Sequence, residues 1–274
     1  MSVPPVAPRA DWGSGVAPRN AVALAGSRIV AFCVVEWQKF MHDRTELVTR
    51  AIQPVLWLVV FGETFSRVRA IPTGSLSYLQ YMAPGIIAQS GMFVAIFYGI
   101  QIIWERDAGI LAKLLVTPTP RVALIAGKSF AAAVRALAMV VVILLVSVVI
   151  GVGMTANPLR LLGAGASVVL GTIFFSCLSM VIAGLVMSRD RLMGIGQAIT
   201  MPLFFASSAL YPVSMMPTWL QHLSTANPLS YEVSSLRTLL LGNPGNLWSD
   251  FAVLTVAAVL GIIAASRLLG RLAR

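Results

Sequence analysis

Residues 161–187, LLGAGASVVLGTIFFSCLSMVIAGLVM, contain no charged side chain. A helix needs about 20 apolar residues to cross the roughly 30 Å hydrocarbon core of a bilayer, so this run can span one. Of all 274 residues, 58% are hydrophobic and only 11% are charged, whereas soluble domains carry roughly a quarter charged residues. The sequence therefore predicts an all-α, polytopic membrane protein.

Five further runs have the length and composition of spans, and the distribution of basic residues predicts how they cross the membrane. With six spans and both termini on one side, 16 Lys and Arg residues fall on that side and 4 on the other. Basic residues are enriched in cytoplasmic loops, so both termini are predicted to be cytoplasmic. The same bias explains the net charge of +10, so this charge does not indicate a protein that binds nucleic acid. The five runs are 47–65, 78–103, 130–152, 192–211 and 250–266.

The amino-terminal part divides into two predicted segments before the membrane domain at 47–274. Residues 1–21 are rich in Pro and Gly and lack an apolar core, which predicts a disordered cytoplasmic tail. Residues 22–46 mix apolar side chains with charges such as Arg28, Glu36 and Lys39, which do not suit a membrane span. This pattern indicates an amphipathic helix lying on the inner membrane face.

A compact charged stretch, WERDAGILAKLLVTPTPRVALIAGK at 104–128, interrupts the apolar runs on the predicted cytoplasmic side. Its spacing predicts a short amphipathic helix at about 104–117, with Leu111, Leu114 and Leu115 on one face. Pro118 and Pro120 remove backbone donors and end that helix. Without a catalytic motif in the chain, this element is interpreted as the place where a partner acts, and an ordinary interfacial loop helix is the alternative.

The region after the fifth predicted span is free of charge but too polar to cross the membrane. Residues 192–231 contain no Lys, Arg, Asp or Glu, yet the second half reads TWLQHLSTANPLSY. Prolines at Pro212, Pro217 and Pro228 divide it, and Pro217 suits the first turn of a short helix. We expect a re-entrant element at about 212–230 that enters the outer leaflet and returns.

Catalytic, nucleotide-binding and metal-binding signatures are missing from the sequence. Gly127-Lys128-Ser129 resembles the end of a phosphate loop, but the earlier glycine that such a loop requires is Val122. His42 and His222 have no partners at metal-ligand or catalytic spacing. Glu63, Glu232 and Asp250 are predicted at span ends, so no carboxylate is expected inside the membrane to carry protons. The chain is thus expected to bind no cofactor or metal and to catalyse no reaction by itself.

Two stretches resemble the membrane subunits of type-2 ATP-binding-cassette exporters, and most closely the daunorubicin-resistance permeases. ERDAGILAKLLVTPTPR at 105–121 is similar to the family pattern of Glu-Arg, Gly, Leu-Leu and Thr-Pro. LYPVSMMPTWLQHLSTANPLSYEVSSLRTLLLG at 210–242 is similar to the outer re-entrant signature of Met-Pro, Trp-Leu, Asn-Pro-Leu and a later Arg. The layout agrees over roughly 25–270. Ile110 and Ala112 depart from the Thr and the acidic residue that are usual there.

The resemblance implies a permease worked by a separate ATPase that binds ATP and Mg. It implies two permease subunits, expected to be a homodimer, with two ATPases in a bacterial plasma membrane, and helix 22–46 as a second ATPase contact. The implied coupling residues are Glu105, Arg106, Gly109, Leu111, Leu114 and Leu115. Pathway candidates near the outer end of the fifth span are Met201, Phe204, Phe205 and Tyr211, and the re-entrant element includes Pro212, Pro217, Trp219, Asn227 and Pro228.

Several functions remain open at this point. Aromatic side chains along the candidate pathway favour an amphipathic drug, lipid or natural product over an ion, although these rings are equally typical of ordinary packing. An exporter of polysaccharide or glycolipid fits the same resemblance. A channel or membrane scaffold that needs no ATP is a different class, and a membrane-embedded enzyme is disfavoured because no pair of His, Asp or Glu residues is expected to meet inside a span.

Overall fold

The computed structural model describes residues 44–68, 76–116 and 120–272, together with a few positions between 26 and 38. This part of the chain is helical and contains no strand, which confirms the all-α membrane fold. The predicted tail at 1–21 lies outside the described residues, as does most of the predicted interfacial helix at 22–46.

Ten α-helices follow one another in the described part, with a π-helical turn, Trp57–Phe61, between the first two and a 3₁₀ turn, Val213–Met215, before the eighth. They are α1 (Arg44–Leu56), α2 (Gly62–Val68), α3 (Tyr78–Asp107), α4 (Ile110–Val116), α5 (Arg121–Val149), α6 (Pro158–Val186), α7 (Arg189–Phe205), α8 (Thr218–Ala226), α9 (Pro228–Leu241) and α10 (Leu247–Leu272).

Four helices in the described part are long and apolar enough to cross a membrane, namely α3, α5, α6 and α10. The first predicted span, 47–65, is instead built from α1, the π-helical turn and α2. Pro54 inside α1 cannot donate a backbone hydrogen bond, and the irregular turn follows it within one helical turn. The fifth predicted span, 192–211, is observed as α7, which ends at Phe205. The total of six crossings stays a prediction.

Helix α5 begins at Arg121, whereas the sequence predicted its span only from residue 130. The charge of Lys128 was interpreted there as part of a cytoplasmic loop. In the structure Lys128 is buried and paired with Glu105, so its charge is neutralised inside the helical bundle. Pro120 immediately precedes the helix, where its missing N–H costs no helical hydrogen bond.

Helix α6 lies at the centre of the bundle and packs against α3, α5, α9 and α10. Its small residues permit close approach of neighbouring helices. One close contact is between Gly99 of α3 and Ser179 of α6, whose hydroxyl donates to the Ile96 carbonyl at 2.6 Å. A Cβ on Gly99 would lie 2.6 Å from the Ser179 backbone oxygen, so only glycine fits at this helix crossing.

Candidate functional site

The charged stretch after Trp104 forms an elbow between two helices. Helix α3 continues through Glu105 and Arg106 to Asp107, and the chain then turns at Ala108 and Gly109 before α4 begins. Gly109 has φ +70°, a left-handed conformation that glycine adopts at little cost. The single helix predicted at 104–117 is therefore wrong in detail, because Glu105 and Arg106 belong to the end of the long helix α3.

Glu105 connects α3 to α5 through a largely buried ion pair. Its Oε2 accepts a hydrogen bond from the Lys128 ammonium group, while its Oε1 accepts from the Gln101 amide at 3.3 Å. The side chains of Lys128 and Glu105 are 6% and 16% exposed. Water therefore screens this pair weakly, and the pair holds the end of α3 against α5.

Asp107 and Arg106 connect the same end of α3 to the turn between α6 and α7. The Asp107 carboxylate forms ion pairs of 2.8 Å with both Arg106 and Arg189. Arg106 also donates to the Met187 carbonyl at 3.0 Å, and the Arg189 guanidinium lies over the Trp104 ring at 5.3 Å. The end of α3, the first part of α5 and the turn between α6 and α7 thus meet around the elbow.

Helix α4 has one face against this chain and one face that is open. Leu111 is fully buried and Leu114 packs against the core, so these leucines anchor α4 to its own subunit. Ile110, 47% exposed, together with Ala112 and Lys113 forms the open face. The side chain of Leu115 lies outside the described residues. A partner that docks on α4 would meet the open face first, and the coupling role itself stays a prediction.

The Glu105–Lys128 pair gives a stability prediction. We expect Lys128→Met to lower the free energy of unfolding by about 3 kcal/mol, because it leaves the Glu105 carboxylate without its cation. This value is near the lower end for breaking a buried pair, since Glu105 retains some exposure. The double variant with Glu105→Gln should recover most of the loss. Thermal unfolding of the wild type, the two single variants and the double variant measures the coupling energy between the two side chains. Additive losses would contradict the pairing.

The four pathway candidates do not share one environment. Phe204 is fully buried, and its ring meets Trp57 edge-on with centroids 6.1 Å apart. Phe205 is 42% exposed, and its carbonyl accepts a hydrogen bond from the Tyr211 hydroxyl. Met201 is half-buried. Phe205 and Met201 thus reach the surface of the subunit, whereas Phe204 packs inside it, and the pathway role of these residues stays a prediction.

The predicted re-entrant element forms a helical hairpin of α8 and α9. Pro217 precedes α8 and Pro228 begins α9, while Pro212 precedes the 3₁₀ turn. Between the helices, Asn227 is 2% exposed, accepts from the Leu229 N–H at 3.1 Å and donates to the Leu203 carbonyl at 2.6 Å. Asn227 thus ties the hairpin to α7, whereas Trp219 is 67% exposed.

Arg237, the later Arg of the outer signature at 210–242, lies at the centre of a hydrogen-bond network. It is 8% exposed, lies 3.6 Å from the Tyr81 ring centroid, and donates to the carbonyls of Tyr81, Ser208 and Ala209. One guanidinium thereby joins α9, the start of α3 and the turn after α7. Its place among the apolar residues of SSLRTLLL was the available signal of burial.

Glu232 corrects another expectation, because it is buried in the bundle and not at a span end. It is 1% exposed, and neither carboxylate oxygen has a hydrogen-bond partner in the described part. It fills the space left by Gly171 in the middle of α6, where a Cβ would collide with its carboxyl group. Asp250 is also buried, with 4% exposure. The sequence argument against proton-driven transport assumed that no carboxylate lies inside the bundle, and the burial of Glu232 removes that assumption.

Comparison with known proteins gives a family match over most of the chain. The family described as ABC-2 type transporter matches residues 28–241. This range includes the elbow, the ion pairs around it and the α8–α9 hairpin.

Several curated proteins are similar over most of their length. The putative transport permease ycf38 of Cyanophora paradoxa is 30% identical over 70% of this chain and 67% of its own length. The daunorubicin resistance ABC transporter permease protein DrrB1 of Streptomyces coeruleorubidus is 28% identical over 90% and 85%. Nodulation protein J of Rhizobium leguminosarum bv. viciae is 27% identical over 80% and 84%.

Proposed function

Because the chain belongs to the ABC-2 type transporter family, we propose that it is the permease subunit of an ATP-driven exporter for amphipathic substrates. Drug-resistance permeases among its relatives support an amphipathic cargo. In this proposal ATP and Mg bind to two copies of a separate ATPase subunit, and this chain contributes no catalytic residue. Its own part is to convert motion of the ATPase into movement of helices.

The elbow between α3 and α4 is the observation that carries this mechanism. Helix α3 runs unbroken for 30 residues from the α8–α9 side of the bundle to Asp107. A push on the open face of α4 reaches α3 through the short turn at Gly109, and the ion pairs of Glu105 and Asp107 carry it to α5 and α7. Closure of the ATPase subunits would then move these helices together as a rigid body.

One face of α7 supports a second permease copy across a shared pathway. Leu192, Gly196, Thr200 and Phe204 recur every four residues and are buried in this subunit. The rest of the helix surface exposes Gln197 with Gly194, Met193 and Phe205. A polar amide is unfavourable against lipid and favours a protein interface or a water-filled cavity. We therefore place the pathway between the α7 helices of two identical subunits.

The composition of the complex tests this proposal. The tagged chain is co-expressed with candidate ATPases and purified in the presence of ATP, and its mass is measured by native mass spectrometry. We expect two permeases and two ATPases.

Single cysteines introduced near each terminus, after replacement of Cys33 and Cys177, should react only with reagent on the cytoplasmic side. A purified permease that retains none of the candidate ATPases, or a terminus labelled from outside, would contradict the proposal.

A further inference from the structure

A polar cavity of about 410 Å³ lies between the α8–α9 hairpin, the start of α3 and the start of α10. Its volume is within the range of about 300–1,000 Å³ that is typical of small-molecule sites. Eight of its thirteen lining residues carry a hydroxyl group, and the only charged ones are Arg237 and Asp250. The proposed topology places this cavity at the outer membrane surface.

The walls of the cavity present hydrogen-bond acceptors. The hydroxyls of Tyr81, Tyr231 and Thr238 donate to the backbone carbonyls of Ser208, Thr225 and Ser234, respectively. A hydroxyl has one hydrogen to donate and two lone pairs, so these oxygens remain able to accept. Arg237 likewise directs its Nε and Nη2 donors to backbone carbonyls. A ligand that brings donors of its own can therefore bond to these oxygens.

Asp250 provides the strongest of these acceptors. It is 4% exposed and hydrogen-bonds with Ser234, yet its Oδ2 has no hydrogen-bond partner among the described residues. A buried carboxylate oxygen without a donor is costly, and a ligand hydroxyl would satisfy it. Since the Arg237 guanidinium lines the same cavity and balances the carboxylate charge, a neutral ligand is favoured over an ammonium group.

We infer that this cavity binds a neutral polyhydroxylated group, a sugar or glycerol unit, with Asp250 accepting hydrogen bonds from its hydroxyls and the Asn243 amide lining the same cavity. This inference rests on the proposed function and narrows its substrate class to amphiphiles that carry such a headgroup. The cavity would hold the headgroup at the outer surface while the apolar part remains in contact with lipid or with the pathway.

Binding can be measured on the full chain without its ATPase, so the result is independent of whether transport is observed. The chain is purified in a detergent without sugar and placed in phosphatidylcholine nanodiscs, whose headgroups carry no hydrogen-bond donor. The midpoint of thermal unfolding is then followed against methyl glucoside and, separately, against glucosyl diacylglycerol in the disc. A ligand that binds only the folded chain raises this midpoint, and above its Kd the stabilisation grows with the logarithm of the ligand concentration.

We expect both the soluble sugar and the glycolipid, or the glycolipid alone, to stabilise the wild type; the two probes distinguish a free from a lipid-linked sugar. Asp250→Asn should weaken the apparent Kd about tenfold to a hundredfold, the loss of one hydrogen bond to a charged group. Asp190→Asn removes an exposed carboxylate outside the cavity and should bind like the wild type.

Asn243→Ala serves as a second cavity variant if Asp250→Asn does not fold, and it should weaken binding about threefold or more. No stabilisation by either sugar, equal affinity of the wild type and both cavity variants, or preferential stabilisation by ethanolamine would overturn the inference. ATP-dependent export by the complex in the presence of such a negative result would leave the proposed function intact and remove only this site.

Discussion

Ile110→Asp is expected to release the ATPase from the permease while leaving the permease folded. Ile110 is 47% exposed on the open face of α4, so a carboxylate there meets water in the isolated chain. In the complex it would be buried at the centre of a docking surface, where the loss of one apolar anchor costs about 2–4 kcal/mol. Co-purification of the ATPase should therefore fall at least about thirtyfold.

Leu111→Ala is the matched control for that experiment. Leu111 is the neighbouring residue but is fully buried in this chain, so its truncation should lower permease stability by about 2–5 kcal/mol. The two variants thus separate docking from folding: the first changes ATPase retention, the second the unfolding temperature. Normal ATPase retention by Ile110→Asp would show that the open face of α4 is not the docking surface.

Gly99→Ala is expected to lower stability by about 3 kcal/mol, near the upper end for overpacking a core. The added Cβ would lie 2.6 Å from the Ser179 backbone oxygen, and a carbonyl inside helix α6 cannot rotate away. Helices α3 and α6 would have to separate, although their close contact holds the centre of the bundle. The measurement is thermal unfolding of the purified chain, with the yield of folded protein as a second readout.

Gly165→Ala provides the comparison for Gly99→Ala. Its Cβ would meet only the Leu137 side chain at 3.5 Å, an ordinary van der Waals distance, and alanine favours a helix by up to about 1 kcal/mol. The unfolding temperature should stay unchanged or rise slightly. Equal losses for the two variants would mean that the α3–α6 crossing is looser than the structure shows.

The fold class could be predicted from the sequence because spans depend on the length of apolar runs. Residues 161–187 and 78–103 correspond to α6 and α3, and Pro228, one of the prolines expected to divide the re-entrant region, begins α9. Charge misled the prediction where it is neutralised by a partner distant in the chain. Lys128 was taken for a loop residue because nothing in its own segment reveals Glu105 as its partner.

The site was less predictable, because burial of a polar residue is decided by packing between helices. Glu232 follows a polar stretch, which suggested a position at the membrane surface. In the fold, Gly171 on a helix that is distant in sequence but adjacent in space leaves the space that Glu232 fills. The leucines of the elbow were expected to face a partner, but a two-turn helix has little surface and Leu111 turned inward. The spacing of apolar residues shows which face of a helix is buried, but it does not show whether that face packs against the same chain or against a partner.

Transport by reconstituted complexes tests the central claim most directly, that this chain moves its substrate only when an ATPase works on it from α4. Proteoliposomes are prepared with the permease alone, with permease and ATPase, and with Ile110→Asp and ATPase, and uptake of a fluorescent amphiphile is followed after ATP addition. The account predicts uptake only in the second preparation. Uptake by the permease alone, or undiminished uptake with Ile110→Asp, would contradict it.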